Sequence, residues 1–299
     1  MASEARTEST LLDAEFLRKL ERLAIAVKKS HLGAAKGERR SKRKGVSVEF
    51  ADYRDYVQGD DLRFIDWNIY GRLNGLYLKL FQEQEDLTLH VLIDGSKSMA
   101  FGTPHKFDFA RRLAAAVGYV ALSGYDRVSI EVFSGELVQQ LRPVRGKASA
   151  HKLFGFLQHA QAQGGTRLEE ACRNYVLRQR GKGVALFISD FFDEAGHEGT
   201  LKRLLQTGCD VYVIQVLAPE EIKPDLSGDL KLLDSETGAY TEISVSRALL
   251  KRYEQNRDAF IESIRTYCVA RGMSHFVVSS DTPLENLTLD ILRQGGMLR

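Results

Sequence analysis

Apolar and polar positions change period along this chain, and the changes divide it into parts. From residue 87 onward, short runs of almost unbroken aliphatic and aromatic residues alternate with longer amphipathic stretches. A near-continuous apolar run is the pattern of a strand buried on both faces, as in a parallel sheet. The runs predict strands at 87–93, 127–133, 184–189, 210–217 and 275–279. The intervening three- and four-residue spacing predicts helices at 106–123, 167–180, 197–207 and 246–271, with a last helix at 284–293. Strands separated by helices imply βαβ units. The expected fold class is therefore α/β: a doubly wound, mostly parallel sheet with helices on both faces. One interruption reads as a β-hairpin inserted near 229–245, with arms at 230–233 and 240–245 and a turn through 234–238. It should project from the sheet edge rather than extend the core.

Upstream the pattern differs. Leu12, Phe16, Leu20, Leu23 and Val27 recur at helical spacing and predict an amphipathic helix over 11–33, with Gly33 as its stop. Residues 45–85 are richer in strand and turn signals. Their clearest strand is 76–81, introduced by the Asn74-Gly75 turn. The expected organisation is an N-terminal helix in 1–35, a basic connector and small β-rich region in 36–85, and the α/β domain in 86–299.

Charge changes the picture in one place. The net charge is only +2, yet Lys28, Lys29, Lys36, Arg39, Arg40, Lys42, Arg43 and Lys44 face a lone Glu38. Such a run is either a solvated connector or a surface for nucleic acid, anionic lipid or an acidic partner. It contains no aromatic residue of the kind that stacks on bases, so specific nucleic-acid recognition is not expected. The hydrophobic fraction of 43% and charged fraction of 27% are those of an ordinary globular chain. Three widely spaced cysteines, Cys172, Cys209 and Cys268, form no CxxC pair, which argues against a disulfide framework or a zinc site. No stretch approaches the roughly 18–20 apolar residues of a transmembrane helix. Residues 1–10 lack the apolar core of a signal peptide. The expectation is a cytoplasmic protein without a transmembrane segment.

The candidate chemistry sits where the predicted strands end. Asp94-Gly95-Ser96-Lys97-Ser98 follows the first long apolar run and so lies at a strand's carboxyl end, where ligands bind in open α/β sheets. Gly164-Gly165-Thr166 directly precedes a helix, and Ser189-Asp190 ends another buried strand. If the three loops share one sheet edge, Asp94, Ser96, Ser98, Thr166 and Asp190 converge. Two carboxylates with small hydroxyls are a donor set for a hard divalent cation, Mg²⁺ first, with Mn²⁺ or Ca²⁺ as alternatives. Each residue also has a local reading: Ser96 and Ser98 as turn or cap residues, Thr166 with Glu169 as a capping box, Asp190 as a plain strand-end acid. His90, inside a buried strand, reads as a satisfied core residue, and Asp193 as an exposed loop acid or an orienter of waters. No GxxxxGK[ST] nucleotide motif and no G-x-S-x-G nucleophile elbow is present.

Asp94-Gly95-Ser96-Lys97-Ser98-Met99, Gly165-Thr166 and Ser189-Asp190 resemble the metal-ion-dependent adhesion site of the von Willebrand factor type A fold. Arg43-Lys44-Gly45, Glu49-Phe50, Arg54-Asp55-Tyr56, Gly59-Asp60-Asp61 and Arg63-Phe64-Ile65-Asp66-Trp67 resemble the signature of the bacterial "domain of unknown function 58" family. The likeness spans roughly residues 36–280. It implies metal binding by Asp94, Ser96, Ser98, Thr166 and Asp190, and association with a MoxR-type AAA+ ATPase and its client in a chaperone-like role. Many family members carry transmembrane helices before the signature, whereas this chain offers only the amphipathic segment 11–33. The expected function is a non-enzymatic, Mg²⁺-dependent protein-binding module. A metal-assisted phosphohydrolase, and nonspecific nucleic-acid binding through 28–44, are the alternatives. In the signature, Arg63 is expected to pair with a nearby acid while Phe64, Ile65 and Trp67 anchor the small region to the main sheet; Arg54 and Tyr56 are read structurally as well.

Overall fold

The computed structural model describes residues 11–26, 48–73, 75–83, 87–134, 137–178, 183–233 and 240–299. The basic run 28–44, the Arg43-Lys44-Gly45 part of the signature and the hairpin turn 234–238 lie outside the described residues. Contacts divide the chain into two compact units, Gly33–Asp86 and the combination of Met1–Leu32 with Leu87–Arg299.

The larger unit begins with α1 (Ala14–Leu20), whose N-cap Asp13 accepts the Phe16 N–H at 2.7 Å. The helix is far shorter than the expected 11–33. A turn follows, and Ala24 and Ala26 pair by backbone hydrogen bonds with Arg299 and Met297 instead of continuing the helix. Phe16 and Leu20 are buried, and Tyr119 donates its hydroxyl to Glu21. The N-terminal helix is thus part of the core of the larger unit rather than a separate part.

The smaller unit pairs β1 (Val48–Asp55) antiparallel with α2's downstream neighbour β2 (Tyr77–Glu83), α2 being Trp67–Leu73. Its signature residues close on one another. Arg54 pairs with Asp60 at 2.7 Å, and Arg63 chelates Asp61 with contacts of 2.6 and 3.0 Å. Asp66 accepts from the Tyr53 hydroxyl and from the Asn68 N–H, capping α2. Ile65 is buried and bridges Leu78. Trp67, at the first position of α2, is 62% exposed and meets Tyr70 edge-on, one turn later. The side chain of Phe64 lies outside the described residues.

The central sheet of the larger unit comprises β3 (Thr88–Asp94), β4 (Arg127–Ser134), β5 (Leu137–Arg145), β6 (Val184–Ser189), β7 (Asp210–Leu217) and, later in the chain, β10 (Ser274–Ser279). The separate hairpin strands β8 (Gly228–Leu233) and β9 (Tyr240–Val245) form a two-stranded sheet of their own, as expected. Sheet order is β10-β7-β6-β3-β4-β5, all parallel except the β4–β5 pair. Helices α3 (Lys106–Ser123), α4 (Ala150–His159), α5 (Leu168–Arg178), α6 (His197–Leu205), the short α7 (Pro219–Ile222) and α8 (Arg247–Val269) complete the main elements. The fold class is the mixed α/β one expected from the sequence. Strand residues alternate between two cores. Leu89, Val91 and Ile93 join α1, α3 and α4 on one face, while Leu92, Ala185 and Phe187 join α5, α6 and α8 on the other. Among the described residues no helix is long and apolar enough to cross a membrane.

Strand β5 and helix α4 are among the elements without a counterpart in the sequence-based expectations. Edge strand β5 contains Pro143, which is tolerated because the ladder with β4 shifts register between Val128 and Ile130. Helix α4 is short and contains Gly155, but Leu153 and Leu157 bury against α3, where Gly118 lets the helices close. A Cβ at Gly118 would stand 3.0 Å from Leu153 Cδ2. The expected helix 284–293 is a series of short turns, including a wide π turn at Leu287–Ile291, that bury Leu284, Leu287 and Leu292.

His90 is a satisfied core residue, 4% exposed, with Nδ1 2.8 Å from Ser129 Oγ. Burial pushes its pKa down to about 4. Because the unfolded imidazole binds its proton near pH 6.5, the stability tied to neutral His90 is complete above that pH and lost as the pH falls toward about 4. His90→Gln should therefore flatten the acid limb of urea-unfolding stability between those values, by on the order of 3 kcal/mol at the acid end. An unchanged slope would contradict the burial effect. Phe16→Ala should cost about 3–5 kcal/mol in the same assay, whereas a helix standing apart from the core would lose almost nothing.

Candidate functional site

Strand β3 delivers Asp94 to the carboxyl edge of the sheet, where it is 1% exposed. Its Oδ1 accepts the Ser96 N–H at 2.9 Å, and its Oδ2 accepts the Ser189 hydroxyl at 2.6 Å. Gly95 makes the turn possible at close quarters: its N–H donates to Phe133 O, and a Cβ there would meet Val132 Cγ1 at 2.9 Å. The chain then folds into a short 3₁₀ turn, Lys97–Ala100, that sets Ser96 Oγ 2.9 Å from Ser98 Oγ. Ser96 is fully buried and Ser98 is half-buried.

The second loop is laced to the first by its backbone. Gln163 N–H donates to Gly95 O at 2.7 Å, and Lys97 N–H donates to Gly164 O at 3.1 Å. Thr166 follows two residues later, half-buried at the entry to α5. It lines an open cavity of about 380 Å³ with Arg167, Arg173, Asp193 and Arg203. Asp193 Oδ2 accepts the Leu168 N–H at 2.8 Å, and Glu169 pairs with Arg203. Asp193 is thus not an exposed loop acid. It is a half-buried cap that ties the third loop to the second.

The third loop turns on Ser189, which the sequence reading quoted but did not assign. Its hydroxyl donates to Asp94 and accepts the Phe191 N–H at 2.9 Å. Phe191 adopts a positive φ of 63°, a left-handed conformation that costs a residue with a Cβ about 1–2 kcal/mol. Burial of its ring, 5.3 Å from Phe187, offsets that cost. This hook exposes neither oxygen of Asp190, which is fully buried. Oδ1 accepts the Phe192 N–H at 3.0 Å, and Oδ2 accepts from Lys106 Nζ at 2.7 Å.

Lys106 is the main residue that sequence reasoning missed. Its side chain is wholly buried, and its ammonium also reaches Glu221 Oε1 at 2.6 Å. One signal was available. A lysine at the first position of a helix opposes the helix dipole, so something else must hold it there. Glu221 in turn caps α7 through the Ala218 N–H at 2.7 Å, and burial pushes its pKa up.

The structure therefore brings Asp94, Ser96 and Ser98 into one hydrogen-bonded loop and places Asp190 beside them through Ser189. Thr166 joins by the backbone lacing of its loop. Among the described residues no group of three His, Cys, Asp or Glu is placed to hold a metal ion. A cation here would depend on the hydroxyls as well as the two acids. That donor chemistry fits a hard cation: every donor is oxygen. Burial, and then the charge of Asp190, push the Asp94 pKa up to about 7, so a positive charge at this point would be favoured. Lys106 already supplies one to Asp190.

A raised carboxyl pKa contributes stability that is complete below the unfolded value and lost as the pH rises toward about 7. With chelator present, Asp94→Asn should raise urea-unfolding stability at pH 8 by on the order of 1–3 kcal/mol, and the gain should vanish near pH 4. A destabilised Asp94→Asn domain at pH 8 would contradict this electrostatic account.

Curated relatives include uncharacterised proteins of Mycobacterium bovis and Mycobacterium tuberculosis, each 28% identical over 243 residues, covering 79% of this chain and 76% of theirs. Among solved structures, the conserved hypothetical protein BatB of Bacteroides thetaiotaomicron is 18% identical, over 70% of this chain and 96% of BatB, with a TM-score of 0.43. The VWA domain of SpRpn10 is 11% identical, over 67% of this chain and 92% of that domain, with a TM-score of 0.37. The model of the family described as "Protein of unknown function DUF58" matches residues 52–260. The chain belongs to the DUF58 family.

Proposed function

We propose that this protein is a non-enzymatic, cytoplasmic, divalent-cation-dependent binding module that works with a MoxR-type AAA+ ATPase and its client. The observation that carries the reading is the lacing of three sheet-end loops around Asp94, with Ser96, Ser98 and Asp190 beside it. A von Willebrand factor type A-like arrangement would present such loops to a partner. Asp94, Ser96, Ser98, Thr166 and Asp190 would hold the cation, Mg²⁺ first. When bound, the cation supplies positive charge that a carboxylate of a partner protein can share.

The chain's own residues do the positioning. Ser189 fixes the Asp94 carboxylate, and the Ser96 N–H fixes its other oxygen. Asp193 ties the Asp190 loop to the start of α5. The sequence resemblance to the type A adhesion site suggests the cation, and the resemblance to the DUF58 signature suggests the ATPase partner.

Titration calorimetry with Mg²⁺ and Mn²⁺ should show binding by the intact protein and none by Asp94→Ala. Pulldown from the native host should recover a AAA+ ATPase without chelator and lose it with chelator. Equal recovery in both conditions would rule out a cation-dependent interaction.

A further inference from the structure

The pairing of Lys106 has no place in an ordinary oxygen-donor site. Its Nζ lies 2.7 Å from Asp190 Oδ2 and 2.6 Å from Glu221 Oε1, with the Phe192 ring centroid 5.0 Å away. Neither Lys106 nor Asp190 is exposed at all. By contrast, the ion pair of buried Glu131 leaves its Arg178 partner 48% exposed. An ammonium enclosed in this way interacts strongly with its neighbours, because little water screens it. It also stands at the first turn of α3, where the helix dipole repels it. Two carboxylates are what keep it there.

From this geometry we infer that Lys106 is an internal competitor for the cation site, occupying Asp190 and so setting how tightly the site takes a divalent cation. The inference rests on the cation-binding reading above. Glu221 makes the competition reversible. Its Oε1 already accepts from Nζ while its Oε2 holds the Ala218 N–H, so the ammonium keeps one carboxylate when Asp190 turns to a cation. Without that second acid, release of Asp190 would strand a buried charge. The formal charges of Asp94, Asp190, Glu221 and Lys106 sum to −2. Lys106→Met makes the sum −3, Glu221→Gln makes it −1, and the double variant restores −2 while freeing Asp190. Net field and direct occupancy can therefore be told apart.

The test is titration of the full-length protein with MnCl₂, following free Mn²⁺ by electron paramagnetic resonance and heat by calorimetry, with circular dichroism to confirm folding. Lys106→Met is expected to bind about tenfold or more tightly than the unsubstituted protein. Glu221→Gln, which leaves the ammonium to Asp190 alone, is expected to bind several-fold more weakly. The double variant should bind more tightly than the unsubstituted protein despite its equal charge. A folded Lys106→Met with unchanged or weaker affinity overturns the inference and leaves the cation site standing. If Lys106→Met does not fold, unchanged affinity in Glu221→Gln overturns it instead. Absence of Mn²⁺ binding in every form overturns the inference together with the cation site.

Discussion

A buried ammonium must be paired, and the carboxyl edge of this sheet is organised around that requirement. Lys106 begins α3, Asp190 follows β6, and Glu221 sits in α7, so one cation ties three distant parts of the chain together. Removing one partner of such an arrangement typically costs 3–5 kcal/mol, because the other charge is left without solvent or partner. The extended backbone around it follows the same logic. Tyr253 and Arg257 of α8 donate to the carbonyls of Glu221 and Ile222, so α7 is held from both sides.

The same edge holds Asp94, and the two acids stand in unlike surroundings. Asp190 is matched by Lys106, while Asp94 has only neutral donors and a raised pKa. A fold that spends its polar groups so unevenly at one edge has a built-in preference for added positive charge. Function resides in such a site, not in the doubly wound sheet, which hosts many unrelated chemistries. The DUF58 family match covers most of the main sheet and part of the small β1–β2 unit. In that unit the signature acids and arginines pair with each other, while Trp67 faces solvent.

The strongly periodic elements were legible without coordinates. Strands at 184–189 and 210–217 and the helix at 106–123 fall at the expected residues, because buried parallel strands and an Ala-rich packed helix leave an unambiguous apolar record. Elements stabilised mainly by tertiary contacts were not legible. Strand β5 carries a proline and polar residues because it is an edge, and α4 is short enough that only α3 makes it a helix. The segment after Leu20 has helical spacing, yet it turns and pairs with the C-terminal residues 297–299, since that buries Ile25 and satisfies the backbone as well.

For the site, sequence alone determined that Asp94, Ser96, Ser98 and Asp190 stand at or just past strand ends, because strand ends are fixed by where apolar runs stop. It named Asp94, Ser96, Ser98, Thr166 and Asp190 from local spacing. Only the tertiary structure decided which groups those residues already hold. Ser189 reaches Asp94 across neighbouring strands, Asp193 caps a helix 25 residues away, and Lys106 meets partners 84 and 115 residues distant. Hydrogen bonds and ion pairs between such positions leave no periodic trace along the chain. Their energies depend on burial, which no single residue's identity reveals.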